Sequence, residues 1–144
     1  MKIQEFITFR LVKSEDLNHH GTLFAGRSAE WFVEAGFIAA AHYLKPENIV
    51  CVKIHGLLFT QPVKRGEIVK FISQPAYTGK TSIIVYIKML SSENNDIVVD
   101  GFITFVNVNS FGKPEAHNII LDIQTDYEKQ LYELAKNLVK QKSK

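Results

Sequence analysis

Trp31-Phe32-Val33-Glu34-Ala35-Gly36-Phe37-Ile38-Ala39-Ala40-Ala41-His42-Tyr43-Leu44 is the stretch on which the fold turns. It ends a run from Phe24 to Leu44 that contains no proline, has alanine at 35, 39, 40 and 41, and carries few β-branched residues. A run of that length and composition reads as a helix rather than a strand, and Pro46 closes it. Between Trp31 and Leu44 only Glu34 and His42 depart from apolar, aromatic or glycine character, so the helical wheel is apolar on every side. A helix of that kind is expected to be buried all round. A chain of 144 residues is too short for a large multilayer core, so the simplest way to bury such a helix is to wrap a sheet around it.

The flanking sequence supplies the sheet. Gln4 to Val12 suits a first strand, and Ser14 to Gly21, dense in residues that bond their own backbone, is a loop. Ile49 to Thr60, Glu67 to Thr78, Thr81 to Leu90 and Ile97 to Asn109 are rich in Val, Ile, Phe and Tyr. Turn signals at Pro62 to Gly66, Thr78-Gly79-Lys80 and Ser91 to Asp96 separate them, and Ser110-Phe111-Gly112 follows the last. Connections this short predict antiparallel neighbours. Ser82 to Lys88 and Val98 to Val106 alternate imperfectly, as strands do when their second face is partly covered; a subunit partner is one explanation. After Pro114, Tyr127, Leu131, Leu134 and Leu138 form the apolar stripe of an amphipathic helix, with lysines at 129, 136, 140, 142 and 144. It is expected to pack on the domain edge, its terminal lysines favoured by the helix dipole. The chain thus divides into a principal domain, 1–121, and a terminal helix with a basic tail, 122–144.

Composition narrows the function classes. With 46% hydrophobic and 22% charged residues the chain is a globular domain. Lys and Arg number 17 against 15 Asp and Glu, a net charge of +2 that is too weak to predict nucleic acid as the main ligand. No apolar run approaches a membrane span, and Met1 to Phe6 does not read as a signal peptide, so a cytoplasmic location is expected. Cys51, the one cysteine, reads as a small buried strand residue, and no metal is expected because no histidine or acid pattern has zinc-ligand spacing.

Asp16-Leu17-Asn18-His19-His20-Gly21-Thr22-Leu23-Phe24-Ala25-Gly26, followed by Glu30-Trp31, resembles the signature of the bacterial acyl-CoA thioesterase branch of hot dog proteins. The resemblance continues through Val52 to Val63 with Gly66-Glu67, Gly79-Lys80-Thr81-Ser82 and Gly112-Lys113-Pro114. It implies an α+β hot dog fold, with an antiparallel sheet of about five strands as the bun and the long helix as the sausage. It also implies hydrolysis of an acyl-CoA thioester, with no cofactor beyond the coenzyme A of the substrate, in a homodimer or trimer of dimers. That branch carries an aspartate nine residues after the motif's phenylalanine, held to act as base or nucleophile; here the place falls on Val33, and the nearest carboxylate is Glu34. An acyl-CoA-binding domain without chemistry is therefore the alternative. A 3-hydroxyacyl thioester dehydratase, with His20 and Glu34 as its pair, is a second alternative, although the proline-rich stretch of that family is absent.

The candidate residues each have two readings. Glu34 is either the base or nucleophile, or a structural glutamate reaching the surface or a subunit interface, since one residue turns a side chain about 100° around a helix. Asn18 is a turn-former, and the resemblance implies that it positions the thioester or the attacking water. Gly26, in the first helical turn, offers backbone N–H groups to a thioester carbonyl or makes a close contact between helix and sheet. His19 and His20 can act as acid or base near neutral pH. Thr81 and Ser82 start a strand where similar thioesterases bring hydroxyls across a subunit interface. Lys64, Arg65 and Lys80 flank turns and can meet the phosphates of coenzyme A, or remain solvated.

Overall fold

In the computed structural model, which describes residues 1–142, the long helix is α1, Ala25–Tyr43. The strands are β1 (Phe6–Leu11), β2 (Ile49–His55), β3 (Ile68–Thr78), β4 (Ser82–Ser91) and β5 (Ile97–Asn107). They form one antiparallel sheet in the order β1-β3-β4-β5-β2, and α1 lies across it. This is the expected α+β hot dog fold. Phe32, Ala35, Ala39 and Ala40 of α1 are buried against Phe71, Ile83, Val85, Ile87, Ile103 and Phe105. Burying each of the larger of these side chains contributes roughly 1.5–3 kcal/mol. At Gly36 the helix comes so close to the sheet that a Cβ would lie 3.1 Å from Ile87 Cδ1 and 3.2 Å from Ile103 Cδ1.

The β3–β4 and β4–β5 hairpins join neighbours as their turns predict, but β2 and β3 are not neighbours. β2 pairs with β5 at the far edge, and it stops at His55 rather than Thr60. Gly56 takes φ +75°, which glycine tolerates without strain, and the chain leaves the sheet there. The facing residue on β5 is Gly101, where a Cβ would run into the Gly56 and His55 carbonyl oxygens. The departing segment is caught again at Thr60, whose N–H donates to Val98 O at 2.9 Å.

Four further expectations need correction. Within one chain α1 is not buried all round: the sheet covers one side, and Glu30, Glu34, Ile38 and His42 form an exposed stripe. The second face of the central strands is covered by the chain itself. Helix α2 (Asp126–Lys142) packs Leu131 and Ala135 onto Ala76, Ile84 and Tyr86, with Tyr132 against Tyr77 at 5.2 Å between rings. It therefore lies on the outer face of β3 and β4 rather than on an edge, and Tyr127 and Leu134 of the predicted stripe remain exposed. Lys144 lies outside the described residues. Cys51 is exposed on β2, beside exposed Val50, Val52 and Ile54. No helix among the described residues is long and apolar enough to cross a membrane.

Candidate active site

The loop that leads into α1 is held by two side chains. Asp16 is buried; its carboxylate accepts the Lys13 N–H at 2.9 Å and lies 3.2 Å from Arg27 Nε, while its backbone oxygen accepts Phe24 N–H. Asn18 Oδ1 accepts from His20 N (2.9 Å), Thr22 N (3.2 Å) and Thr22 Oγ1 (3.3 Å), an Asx-type closure that lets Gly21 turn the chain at φ +80°. All of this uses the oxygen. Among the described residues the Nδ2 donors of Asn18 have no partner. Thr22 then bridges to Lys64, and Leu23 N–H donates to Val63 O at 2.8 Å, docking the loop on the β2–β3 connection.

Helix α1 starts from Phe24 with no side-chain cap. Arg27 and Ser28 N–H both donate to Phe24 O at 3.0 Å, which leaves the Ala25 and Gly26 N–H groups, at the positive end of the helix, without a partner among the described residues. A Cβ on Gly26 would meet the Phe24 ring at 2.5 Å, so the packing contact of this glycine is with the capping residue and not with the sheet. Next to these groups opens a cleft of about 380 Å³. Its walls are Asn18 and Leu23 of the loop, Ala25 and Ser28 of α1, the Phe59 to Val63 segment, Met89 of β4 and Val98 of β5. An apolar cavity with amide donors at one end can bind an acyl chain and polarise a carbonyl.

Glu34 does not line this cleft. It is paired with Arg10 of β1, whose guanidinium also lies 5.6 Å from the centre of the Trp31 ring. Val33 lies on another side of the helix. Phe37, one turn later on that side, packs edge-on against Phe105 of β5 at 6.3 Å. Glu34 is thus turned towards β1 at one edge of the sheet, and the 100° between consecutive residues carries Val33 towards the β5 side. His19 and His20 are exposed at the loop, their rings 3.9 Å apart, and make no contact with Glu34. Lys64 and Arg65 are exposed beside the Asn18 loop. Lys80, Thr81 and Ser82 lie at the start of β4, whereas Met89 of the cleft lies near its end, so one chain does not bring them to Asn18. The backbone oxygens of Thr81 and Ser82 serve local structure, accepting Asn107 N–H (2.7 Å) and, at Ser82, Gly79 N–H (3.0 Å) and a bond to His117 Nε2 (2.8 Å). Desolvation pushes the Cys51 thiol above its ordinary pKa, which disfavours a thiolate. Among the described residues no three His, Cys, Asp or Glu side chains are grouped to hold a metal.

Residues 20–98, more than half of the chain, match the family described as the thioesterase superfamily. The chain belongs to that family. This thioesterase-superfamily protein is 26% identical over 103 residues to the uncharacterized acyl-CoA thioester hydrolase YkhA of Bacillus subtilis (strain 168), covering 69% of this chain. It spans 59% of the length of that relative. The acyl-CoA hydrolase of Staphylococcus aureus, solved in complex with butyryl coenzyme A, coenzyme A and coenzyme A disulfide, superposes with a TM-score of 0.84 at 25% identity, over 96% of this chain and 84% of that one. An apo hexameric acyl-CoA thioesterase superposes with a TM-score of 0.86 at 28% identity, over 96% and 90%.

The cleft also holds residues that sequence reasoning missed. Ser28, Thr60 and Gln61 all line the cleft. Thr60 ends what reads as a strand and Gln61 follows it, and the break at Gly56 brings both to the cleft. Ser28 stands between Arg27 and Glu30 in the polar opening turns of the helix, so nothing in the sequence singles it out.

Proposed function

We propose that this protein hydrolyses an acyl-CoA thioester to a free acid and coenzyme A, the coenzyme entering as part of the substrate and no other cofactor taking part. One observation carries the reading: Asn18, whose Nδ2 has no partner among the described residues, and Ala25, whose N–H starts α1, line a single cleft. The oxygen of a water molecule bonds to the carbonyl carbon while the C=O π pair moves onto oxygen, where the Ala25 and Gly26 N–H groups stabilise the charge. The tetrahedral centre then expels the coenzyme A sulfur with the C–S pair, and a proton from the water ends on that sulfur. Asn18 Nδ2 orients the reactants.

The missing acid bears on the mechanism. The Staphylococcus aureus hydrolase has been solved with alanine replacing an asparagine and, separately, an aspartate fifteen positions further along. Asn18 and Val33 have the same separation, which supports reading Val33 as the place of that aspartate. Glu34, turned towards β1, does not take over the role of base, and the water is activated by position and charge stabilisation. The working form is a homodimer or trimer of dimers, since β2 leaves Val50, Val52 and Ile54 exposed on an unpaired edge. In it Lys80, Thr81 and Ser82 of one copy reach the cleft of another, and Lys64 and Arg65 meet the phosphates of coenzyme A. Residues 1–121 form the catalytic unit with α2 as its outer cover, and a lone unpaired cysteine suits the cytoplasm.

A non-catalytic acyl-CoA-binding domain is the second reading, favoured by the apolar Val33. The dehydratase reading has no His20–Glu34 contact to support it. Thiol release from short, medium, long and aryl acyl-CoA substrates separates the first two: saturable release is expected, and binding without release at any chain length would establish the second.

A further inference from the structure

Ser28 is 2% exposed, one helical turn after the capping Phe24, and it lines the cleft. Its hydroxyl has a single partner among the described residues, the Met89 thioether sulfur at 3.6 Å. A thioether is a weak acceptor, and a serine there gives up helix propensity relative to alanine, so stability alone does not account for the residue. Its position does. Ala25 and Ser28 share a helix face, and Cα–Cβ bonds tilt towards the helix N-terminus, which sends the Ser28 side chain back over the turn where the Ala25 and Gly26 N–H groups are free. Asn18 lines the same cleft from the loop side.

We infer that Ser28 is a further catalytic residue, whose Oγ–H leaves the Met89 sulfur and donates to the thioester carbonyl oxygen. The inference rests on the hydrolase reading above. A carbonyl oxygen is a better acceptor than a thioether, and the oxyanion that develops on it is better still, so the bond strengthens as the transition state forms. With the two helix amides, the hydroxyl gives that oxygen a third donor, which compensates in part for the carboxylate that Val33 does not supply.

The test compares the full-length protein with Ser28→Ala and Ser28→Cys, measuring thiol release over the acyl-CoA panel and thermal unfolding. Ser28→Ala is expected to lower kcat about a hundredfold, the scale of losing one oxyanion donor, with KM within about twofold. Its Tm is expected to be unchanged or higher, because alanine is the best helix former and the lost bond is weak. Ser28→Cys, similar in size with a weak donor, is expected to fall between. A purely structural serine predicts the opposite pattern, a lowered Tm with wild-type kcat, and that result overturns the inference. Should Ser28→Ala fail to fold, wild-type kcat in Ser28→Cys overturns it equally. An inactive wild type across the panel sinks the hydrolase reading itself, an outcome distinct from active wild type with active variants.

Discussion

Replacing Glu34 with glutamine separates the two things a carboxylate on α1 can do. The side chains of Arg10 and Glu34 are 39% and 54% exposed, so their ion pair is a surface pair. Such pairs contribute about 0.2–1 kcal/mol. Glutamine keeps a hydrogen-bonding oxygen, and Arg10 remains over the Trp31 ring at 5.6 Å, so the guanidinium is not stranded. In a domain of this size the loss corresponds to a fall in Tm of at most about 4 °C. Because Glu34 is turned away from the cleft, turnover should stay within about threefold, whereas losing a general base costs about 10²–10⁴. Thiol release followed continuously at several acyl-CoA concentrations, with calorimetry on the same samples, gives both quantities. A hundredfold fall in kcat with Tm intact would show that Glu34 reaches the thioester, and the geometric argument from its pairing at the β1 edge would be refuted.

Asn18→Asp keeps the Oδ1 acceptor that closes the loop but removes the Nδ2 donors and places a negative charge where negative charge develops, so the fold should persist while thiol release falls at least about a hundredfold. Normal turnover in that variant would remove Asn18 from the mechanism. Ile54→Lys puts a charge on the exposed β2 edge and should shift light-scattering mass towards the monomer; an unchanged mass means the subunits meet elsewhere. Burial, then the hydrogen bond to Asp100 Oδ2 at 2.7 Å, raises the Tyr86 phenol well above its ordinary 10.0. A folded pKa above the unfolded one gives stability that is full below about pH 10 and lost as pH rises beyond it. Tyr86→Phe should therefore flatten the alkaline fall in Tm, and an equally steep fall in the variant would assign it to other groups.

The sequence and the structure agree best where the information is local. The span of α1 follows from an unbroken run without proline, and β3, β4 and β5 follow from their turns. The place of β2 does not, because a strand's partner is chosen by contacts distant in sequence, here His55 and Gly56 against Gly101. That the outer face of β4 is covered was legible in Ile84 and Tyr86, but the pattern is the same whether a partner or α2 covers it. In the site, Asn18 and Gly26 are legible from one contiguous motif. Ser28, Thr60 and Met89 are not, since the cleft is assembled from segments that meet only after folding. For Glu34 the wheel supplies the 100° step and leaves open which way it points; Arg10 decides that.

The unpaired β2 edge has a practical consequence. In the homo-oligomer proposed above a second copy covers the exposed Val50, Val52 and Ile54, so apparent stability and turnover would depend on how much protein is present. Diluting the protein far enough to resolve initial rates can carry it below its own association threshold. Specific activity would then fall with the amount of enzyme in the cuvette, and a dormant dilute sample would be mistaken for a chain without chemistry.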